Sequence, residues 1–510
     1  MRIVVGYPPI ESDKGVPLLS QNRQFQYFNA PTYIYPMVPA YAASNLAKHG
    51  HQVVWLDGIA EKWSYVQWKE KLAEAKADLL LMETKCPVIK AHWRISHDLR
   101  AQFPALLQVW VGDHVTWLPK ETFDEAPVDC IITGGDYDFL VVDLAAHIER
   151  GTPLPPGFWF PADHPRIRAT AARQSSPKGK ALVSTGPAQL THVLDELPFI
   201  DRDLTRWQLY AYENGNYKYT PGTYVYSGRD CWWNKCTFCV WDHTLNPPGT
   251  YRSFSAERQF AEVKHIVDQY PVKEIFDDAG SIRAGAWLKK FCELVIESGI
   301  DKKVVFGCNM RFDAANEELY RLMRRANFRF ILYGLESANQ PTLDRIQKGL
   351  TPEKIERGAR MCKAAGLEPH VTIMLGYPWE TVEDAQHTVD FAKQLFSKGC
   401  IDTLQATICI PYPGTPLFRE CKENGWLATE DYDDFDMRQP VMTSLLTAEQ
   451  MLKFTQQLYK AFLSPRFILR KIMAVRRWQD IRFLFMAGMR VLGHLLDFSP
   501  KQAKKCNCGH

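Results

Sequence analysis

One local pattern recurs along most of the chain: a short apolar run of strand length, a turn, then a stretch with apolar residues at helical spacing. From Met1 to about Arg150 the runs are RIVVGYP, QVVWLD from Gln52, DLLLME from Asp78, LQVWVGD from Leu107 and VDCIITGGD from Val128. From Thr223 a second series reads TYVYSGR, KEIFDD, KVVFGCN, FRFILYGLE, PHVTIMLGYP and LQATICIPYP. Strands joined through crossover helices run parallel and are covered on both faces. The first series therefore predicts an α/β domain with a doubly wound parallel sheet, and the second a curved, barrel-like parallel sheet. In both, ligands are expected at the carboxyl ends of the strands. Between Gly151 and about Trp207 the periodicity fails, and Pro153, Pro155, Pro156, Pro161 and Pro165 precede the polar stretch RQSSPKGK. A linker is expected there. The predicted division is 1–150, a linker over 151–207, a barrel over 208–430 and a C-terminal helical region over 431–510.

Composition narrows the function classes. The 510 residues are 46% apolar and 23% charged, which excludes collagen-like and wholly disordered chains. The net charge of +3 gives no global footprint for nucleic-acid binding. The opening MRIVVGYPPIESDKG lacks the apolar core of a secretory signal, and no run approaches the ~18 apolar residues of a spanning helix. A cytoplasmic location is expected. The 13 cysteines, an odd number without a secretion signal, point to reduced thiols or metal ligands. The loop after the first strand has Tyr7-Pro8-Pro9 where a dinucleotide site needs G-x-G-x-x-G, so no nicotinamide or flavin dinucleotide fingerprint is present.

The strongest chemical signal follows the first strand of the second series, where Cys231, Cys236 and Cys239 stand within RDCWWNKCTFC. Three thiolates in one loop repel one another unless a soft metal takes up the charge. Two readings are open. A structural zinc ion wants four protein ligands, and His243, four residues past Cys239, makes a Cys₃His site in a non-enzymatic zinc-binding protein. An iron–sulfur cluster on three cysteines leaves one iron open to an exogenous ligand.

Here the chain resembles the radical S-adenosylmethionine (SAM) superfamily, and more closely its cobalamin (B12)-dependent branch. The resemblance implies an N-terminal cobalamin-binding-type Rossmann-like domain, a radical SAM (β/α)₆ partial TIM barrel and a C-terminal helical region. It assigns Cys231, Cys236 and Cys239 to a 4Fe-4S cluster whose open iron is chelated by SAM. The usual spacing is C-x3-C-x2-C, and this chain has one more residue in the first gap. Phe238 matches the aromatic that stands beside SAM. The strand ends Asp277-Asp278, Asn309-Met310-Arg311, Gly334-Leu335-Glu336-Ser337 running on into LDRIQKG, Gly376-Tyr377-Pro378-Trp379-Glu380-Thr381 and Pro411-Tyr412-Pro413-Gly414 fall in the family's order. The resemblance implies polar contacts to SAM from Glu336 and Ser337, a close backbone approach at Gly376 and Pro378, and a meeting of Arg311 with the SAM carboxylate. The plain alternatives are turn chemistry for Gly376, a helix-start acid for Glu336 and a structural ion pair for Arg311.

The N-terminal segments GYPP, Pro39-Ala40-Tyr41, GHQVVWLD and GDHVTWLP are similar to the family's cobalamin module. D-x-H-x-x-G is missing, so the resemblance implies cobalamin bound without a histidine on cobalt. Where relatives often read G-E-G-E after the fifth strand, this chain has Gly134-Gly135-Asp136-Tyr137-Asp138, and it has Gly112-Asp113 for the usual Gly-Gly. The implied chemistry is reductive cleavage of SAM, hydrogen abstraction from an unactivated carbon and methylation by a C-methyltransferase, with oxidative cyclisation or ring rearrangement as the alternative outcome. The implied partners are a small-molecule or lipid substrate and an electron donor such as flavodoxin or ferredoxin. From Pro465 to Phe498 apolar residues recur at three or four with arginines and lysines among them, which predicts a basic amphipathic helix or helix pair that caps the barrel or lies on an anionic membrane. Cys506 and Cys508 near the terminus are assigned no role.

Overall fold

The computed structural model describes residues 1–19, 25–28, 31–460, 462, 465–473, 481 and 488. The N-terminal strands are Arg2–Tyr7, Gln52–Asp57, Leu79–Thr84, Leu107–Gly112 and Cys130–Ile132, parallel throughout, in the order second, first, third, fourth, fifth. The order reverses between the first and third strands, which makes that gap the topological switch point of a doubly wound sheet.

Alternation along these strands explains why both faces are covered. Ile3, Val5, Leu79, Leu81, Val109, Val111 and Ile132 face one core, shared with the helices Met37–Lys48 and Tyr137–Arg150. Val4, Leu80, Met82, Trp110 and Ile131 face a second core with Trp68, Leu72, Ile89 and Leu99 of the helices Tyr65–Ala75 and Ile89–Gln102. A strand buried on both faces is apolar at successive positions, hence the continuous runs in the sequence.

Residues 151–207, expected as a linker, carry three short strands instead. Phe158–Pro161, Ala181–Ser184 and Ala172–Ser175 add antiparallel to the fifth strand and widen the sheet to eight. The outermost, Ala172–Ser175, is largely exposed, so it lacks the apolar alternation that identifies a strand.

The second half is a six-stranded parallel sheet in chain order: Gly222–Val225, Glu274–Asp277, Val305–Met310, Phe328–Glu336, Glu368–Leu375 and Thr403–Ile408. The first and sixth strands do not pair, so the barrel is partial. Two of the helices begin at capping residues that stand where the sequence places the helix starts. Ser255 accepts from Arg258 N at 3.1 Å, and Thr381 and Asp384 form a reciprocal capping box. The C-terminal helix Ala448–Lys460 seats Met451 against the turn after the fifth strand. Of the basic amphipathic stretch expected over 465–498, Pro465–Met473 is a helix; the rest, apart from two isolated helical positions, and both terminal cysteines lie outside the described residues. No helix among the described residues is long and apolar enough to cross a membrane.

Candidate active site

After its first strand the barrel chain leaves the sheet and returns through a two-stranded ribbon in which Gly228 pairs with Ser253 and Arg229 with Arg252. All three cysteines lie on the excursion this ribbon closes. Asp230 accepts from Tyr226 Oη at 2.8 Å and Gly280 N at 2.7 Å, and Cys231 bridges to Ser281 beyond the second strand. Thr237 donates from its backbone to Ile346 O at 3.1 Å and accepts from Leu417 N at 3.0 Å. The loop is therefore stitched to the segments that follow several strands as well as to itself.

The extra residue between the first two cysteines has a structural answer. Asn234 adopts φ of +52°, a left-handed conformation asparagine tolerates, and its amide donates to Asn246 O at 2.9 Å. Trp233 then lies in a slot made by the turn after Ile346. Its Nε1 donates to Gln347 O at 2.8 Å, the Arg311 guanidinium stacks 4.0 Å from its ring centre, and Gly349 leaves the space its ring fills. A Cβ on Gly349 would stand 2.2 Å from Trp233 Cζ2.

Cys236 is buried, and Cys231 and Cys239 are partly so. Burial pushes the Cys231 thiol up to about 12 and Cys236 up to about 11, although the Lys348 and Arg311 charges pull Cys236 back. Without a metal these thiols stay protonated, so a cluster that binds thiolates must supply the missing positive charge. The donor set fits such a cluster, with three soft thiols on one excursion and two cations facing one of them. The Cys₃His zinc reading is corrected. His243 Nε2 lies 3.0 Å from Cys236 O, so the backbone already engages the ring nitrogen that a fourth ligand would offer.

Of the residues assigned to SAM, Glu336 and Arg311 reach the mouth beside Cys236. Glu336 ends the fourth strand at φ of +64°, where the register to the fifth strand also shifts. Its Oε1 accepts from Lys348 Nζ at 2.8 Å, both side chains being buried. Arg311 is engaged by Asp313, Lys348 O and the two tryptophan rings. The Ser337 hydroxyl meets Thr388 Oγ1 and accepts from Asn339 N, which places it in the outer layer. Phe238 is partly buried against the core and Pro378 is buried in the fifth turn. Gly376 sits at φ of +89°, and a Cβ there would be 2.7 Å from Met451 Sδ, so its requirement is turn conformation and close packing.

Two residues escaped the sequence reading. Lys348, in the LDRIQKG segment, supplies the cation between Glu336 and Cys236. Tyr377 places a buried hydroxyl with no protein partner where the charges of Glu336 and Cys236 act on it. A lysine and a tyrosine are common at such positions, and only their three-dimensional neighbours single them out.

The N-terminal sheet turns its carboxyl edge to this excursion. Lys85, after the third strand, lies 5.8 Å from the Trp241 ring on the π-helical turn Trp241–Leu245. Tyr7 and Tyr137 both donate to Glu83 at the switch point. Trp241 Nε1, on the excursion beside Lys85, and His114 Nδ1, after the fourth strand, are buried without protein partners. Unpaired buried polar atoms along this edge fit a ligand with a polar rim, and the amide-bearing edge of cobalamin has that chemistry. Cys231, Cys236 and Cys239 would hold the cluster and the loops after the first, third and fourth N-terminal strands the cobalamin.

Residues 225–392 match the radical SAM superfamily. The chain is 25% identical over 444 residues to an uncharacterised methyltransferase of Pyrococcus horikoshii, covering 86% of this chain and 90% of that one. It is 24% identical over 455 residues to an anaerobic magnesium-protoporphyrin IX monomethyl ester cyclase of Cereibacter sphaeroides, covering 88% and 69%. Among solved structures, the fold is shared with the cobalamin-dependent SAM radical enzyme OxsB, solved with aqua-cobalamin and SAM bound, at a TM-score of 0.68 and 14% identity over 97% of this chain and 71% of that one. It is shared also with the radical SAM methyltransferase TsrM of Kitasatospora setae, with cobalamin and a 4Fe-4S cluster bound, at 0.60 and 16% over 83% and 75%.

Proposed function

We propose that this chain, whose residues 225–392 match the radical SAM superfamily, methylates or cyclises a small-molecule substrate at an unactivated carbon, with a 4Fe-4S cluster, SAM and cobalamin as cofactors. The observation that carries this reading is the meeting of two carboxyl edges: the excursion bearing Cys231, Cys236 and Cys239 faces the switch-point loops of the N-terminal sheet across Trp241 and Lys85. When bound, the cluster and SAM supply a carbon-centred radical and cobalamin supplies a methyl carrier.

The chain's own residues bind, orient and shield. The three cysteines hold the cluster on an excursion tied to three strand ends. Glu336, whose Oε1 already accepts from Lys348 Nζ, accepts hydrogen bonds from a ligand's hydroxyl or ammonium groups with its remaining lone pairs, and the Tyr377 hydroxyl offers one more contact. Arg311, stacked on Trp233, keeps a fixed positive charge beside Cys236 without needing to move. Buried apolar residues on both sheets exclude water from the space between them.

The similarity to both a methyltransferase and a cyclase keeps the two outcomes together, since the same apparatus serves either. A flavodoxin- or ferredoxin-type donor delivers the electron in a reducing cytoplasm, where the free cysteines of the described residues are stable. Exposed Ile468, Leu469, Ile472 and Met473 on the helix Pro465–Met473 support contact with an anionic membrane or a lipid substrate.

The test is anaerobic purification and reconstitution of the full chain. About four irons are expected, from the cluster type, together with release of 5′-deoxyadenosine from SAM and a spectral shift on titrating hydroxocobalamin. Replacing Cys231, Cys236 and Cys239 by alanine abolishes iron and SAM cleavage while sparing the cobalamin shift. Stoichiometric zinc in place of iron, or iron retained by the triple variant, overturns the proposal.

A further inference from the structure

The excursion that carries the cysteines is fastened at its stem to the other domain. Arg229, two residues before Cys231, is completely buried, and its guanidinium leaves the barrel. Its Nη2 donates to Asp138 Oδ2 at 2.5 Å and its Nη1 to Gly135 O at 2.6 Å, with Asp138 Oδ1 at 3.3 Å. Across the ribbon, Arg252 makes a two-pronged contact with Asp136, at 2.6 Å and 2.8 Å, and His192 Nδ1 approaches the same carboxylate at 2.8 Å. Gly135 N donates to Leu245 O at 2.8 Å, on the far limb of the excursion. Both ribbon arginines and the π-helical turn are thus held by Gly135 and Asp136 of the loop after the fifth N-terminal strand and by Asp138 in the first turn of the helix that follows.

We propose that this seam is a positioning device: Asp138 and Asp136, acting through Arg229 and Arg252, set the height and tilt of the cysteine excursion, so that the cluster site takes its SAM-binding geometry only when the N-terminal domain is docked. The argument rests on the reading above that Cys231, Cys236 and Cys239 hold the cluster.

Three features carry it. The contacts fall on the stem of the excursion and not on its tip, so a small rotation at Arg229 is passed directly to Cys231. Forked arginine–carboxylate pairs fix orientation as well as distance, which a single point charge does not. Arg229, Asp136 and Asp138 are fully buried, so no water competes for the pairing at their centre.

A separate buried contact between the domains serves as the control. Tyr41 Oη donates to Glu262 Oε2 at 2.8 Å, tying the helix Met37–Lys48 to the helix Ala256–Gln269 without touching the excursion. Full-length wild type, Asp138→Asn, Arg252→Gln and Tyr41→Phe would be reconstituted anaerobically, reduced, and examined by electron paramagnetic resonance with and without SAM, alongside melting temperature and iron count. Arg252 is the less buried arm, so Arg252→Gln keeps the test alive where Asp138→Asn does not fold. The expected result is that every variant loses some thermal stability, while only the seam variants bind SAM about tenfold or more weakly and lose the SAM-induced change in the cluster spectrum. Asp138→Glu, which restores the charge on a longer arm, should recover part of that change. If the seam variants shift melting as Tyr41→Phe does and leave SAM affinity and spectrum unchanged, the seam only joins the domains and the proposal falls. A wild type without iron instead removes the cluster reading beneath it.

Discussion

Lys348 Nζ stands 2.8 Å from Glu336 Oε1 at the mouth of the barrel, both side chains buried, with the charge of Cys236 acting on the same ammonium. Burial alone would lower the Lys348 pKa, but the carboxylate and thiol outweigh it and hold it above the usual lysine value. A buried pair of this kind is broken at much greater cost than it is removed whole.

Lys348→Met is therefore expected to destabilise the protein by about 3 kcal/mol or more, because it leaves Glu336 buried and unpaired. Adding Glu336→Gln should return a large part of that loss. Urea unfolding of the two single variants and the double variant measures the coupling, and strictly additive losses would refute the pairing.

Gly349→Ala tests how the longer cysteine loop is seated. The new Cβ would meet Trp233 Cζ2 at 2.2 Å at a position with φ of +68°, so backbone strain of about 1 kcal/mol adds to the clash. Trp233 must leave its slot and its stack on Arg311. Slower iron incorporation and a shift in tryptophan emission are expected, with Gly425→Ala, which meets no neighbour, as the comparison at another left-handed turn.

Asp136 gives the domain seam a signature in acid. Burial alone would raise its pKa, yet hydrogen bonds from His192 and Arg252, with the Arg229 charge, bring it down to about 2. A depressed acid contributes stability that is complete above its unfolded value near 4 and is lost as the pH falls through about 2. The shift corresponds to about 2 kcal/mol. Asp136→Asn should lower the melting temperature at pH 7 and flatten the decline between pH 4 and pH 2; an unchanged acid profile would contradict the assignment.

Glu380 acts in the opposite direction. Burial pushes its carboxyl up to about 8, even though Gly376 N donates to it at 2.7 Å. An acid whose folded pKa is raised stabilises fully below its unfolded value, near 4.5, and loses that contribution as the pH climbs through about 8. Glu380→Gln should raise the melting temperature at pH 9 relative to wild type and have little or the opposite effect at pH 5, which thermal scans across that range would show.

What the sequence by itself determined is what local period and local crowding can carry. The apolar runs predicted the five parallel N-terminal strands and the six barrel strands, because a strand buried on both faces needs apolar residues at successive positions. The spacing of Cys231, Cys236 and Cys239 named the loop where soft-metal chemistry belongs, since thiolates so close require a metal. Capping residues such as Ser255 and Thr381 marked helix starts because the N-terminal amides need an acceptor within the next turn. The strands of 151–207 were not legible: Ala172–Ser175 pairs at an exposed edge through backbone hydrogen bonds, which leave no side-chain period. Only the tertiary structure decided which side chains surround the thiols. Lys348 and Tyr377 reach the mouth because the segments after separate strands meet at one edge, and the Ser337 hydroxyl is engaged by Thr388 and Asn339. Arg229 meets Asp138 across 91 positions of chain, a pairing set by the docking of two sheets. No local spacing encodes a contact whose geometry comes from packing between domains.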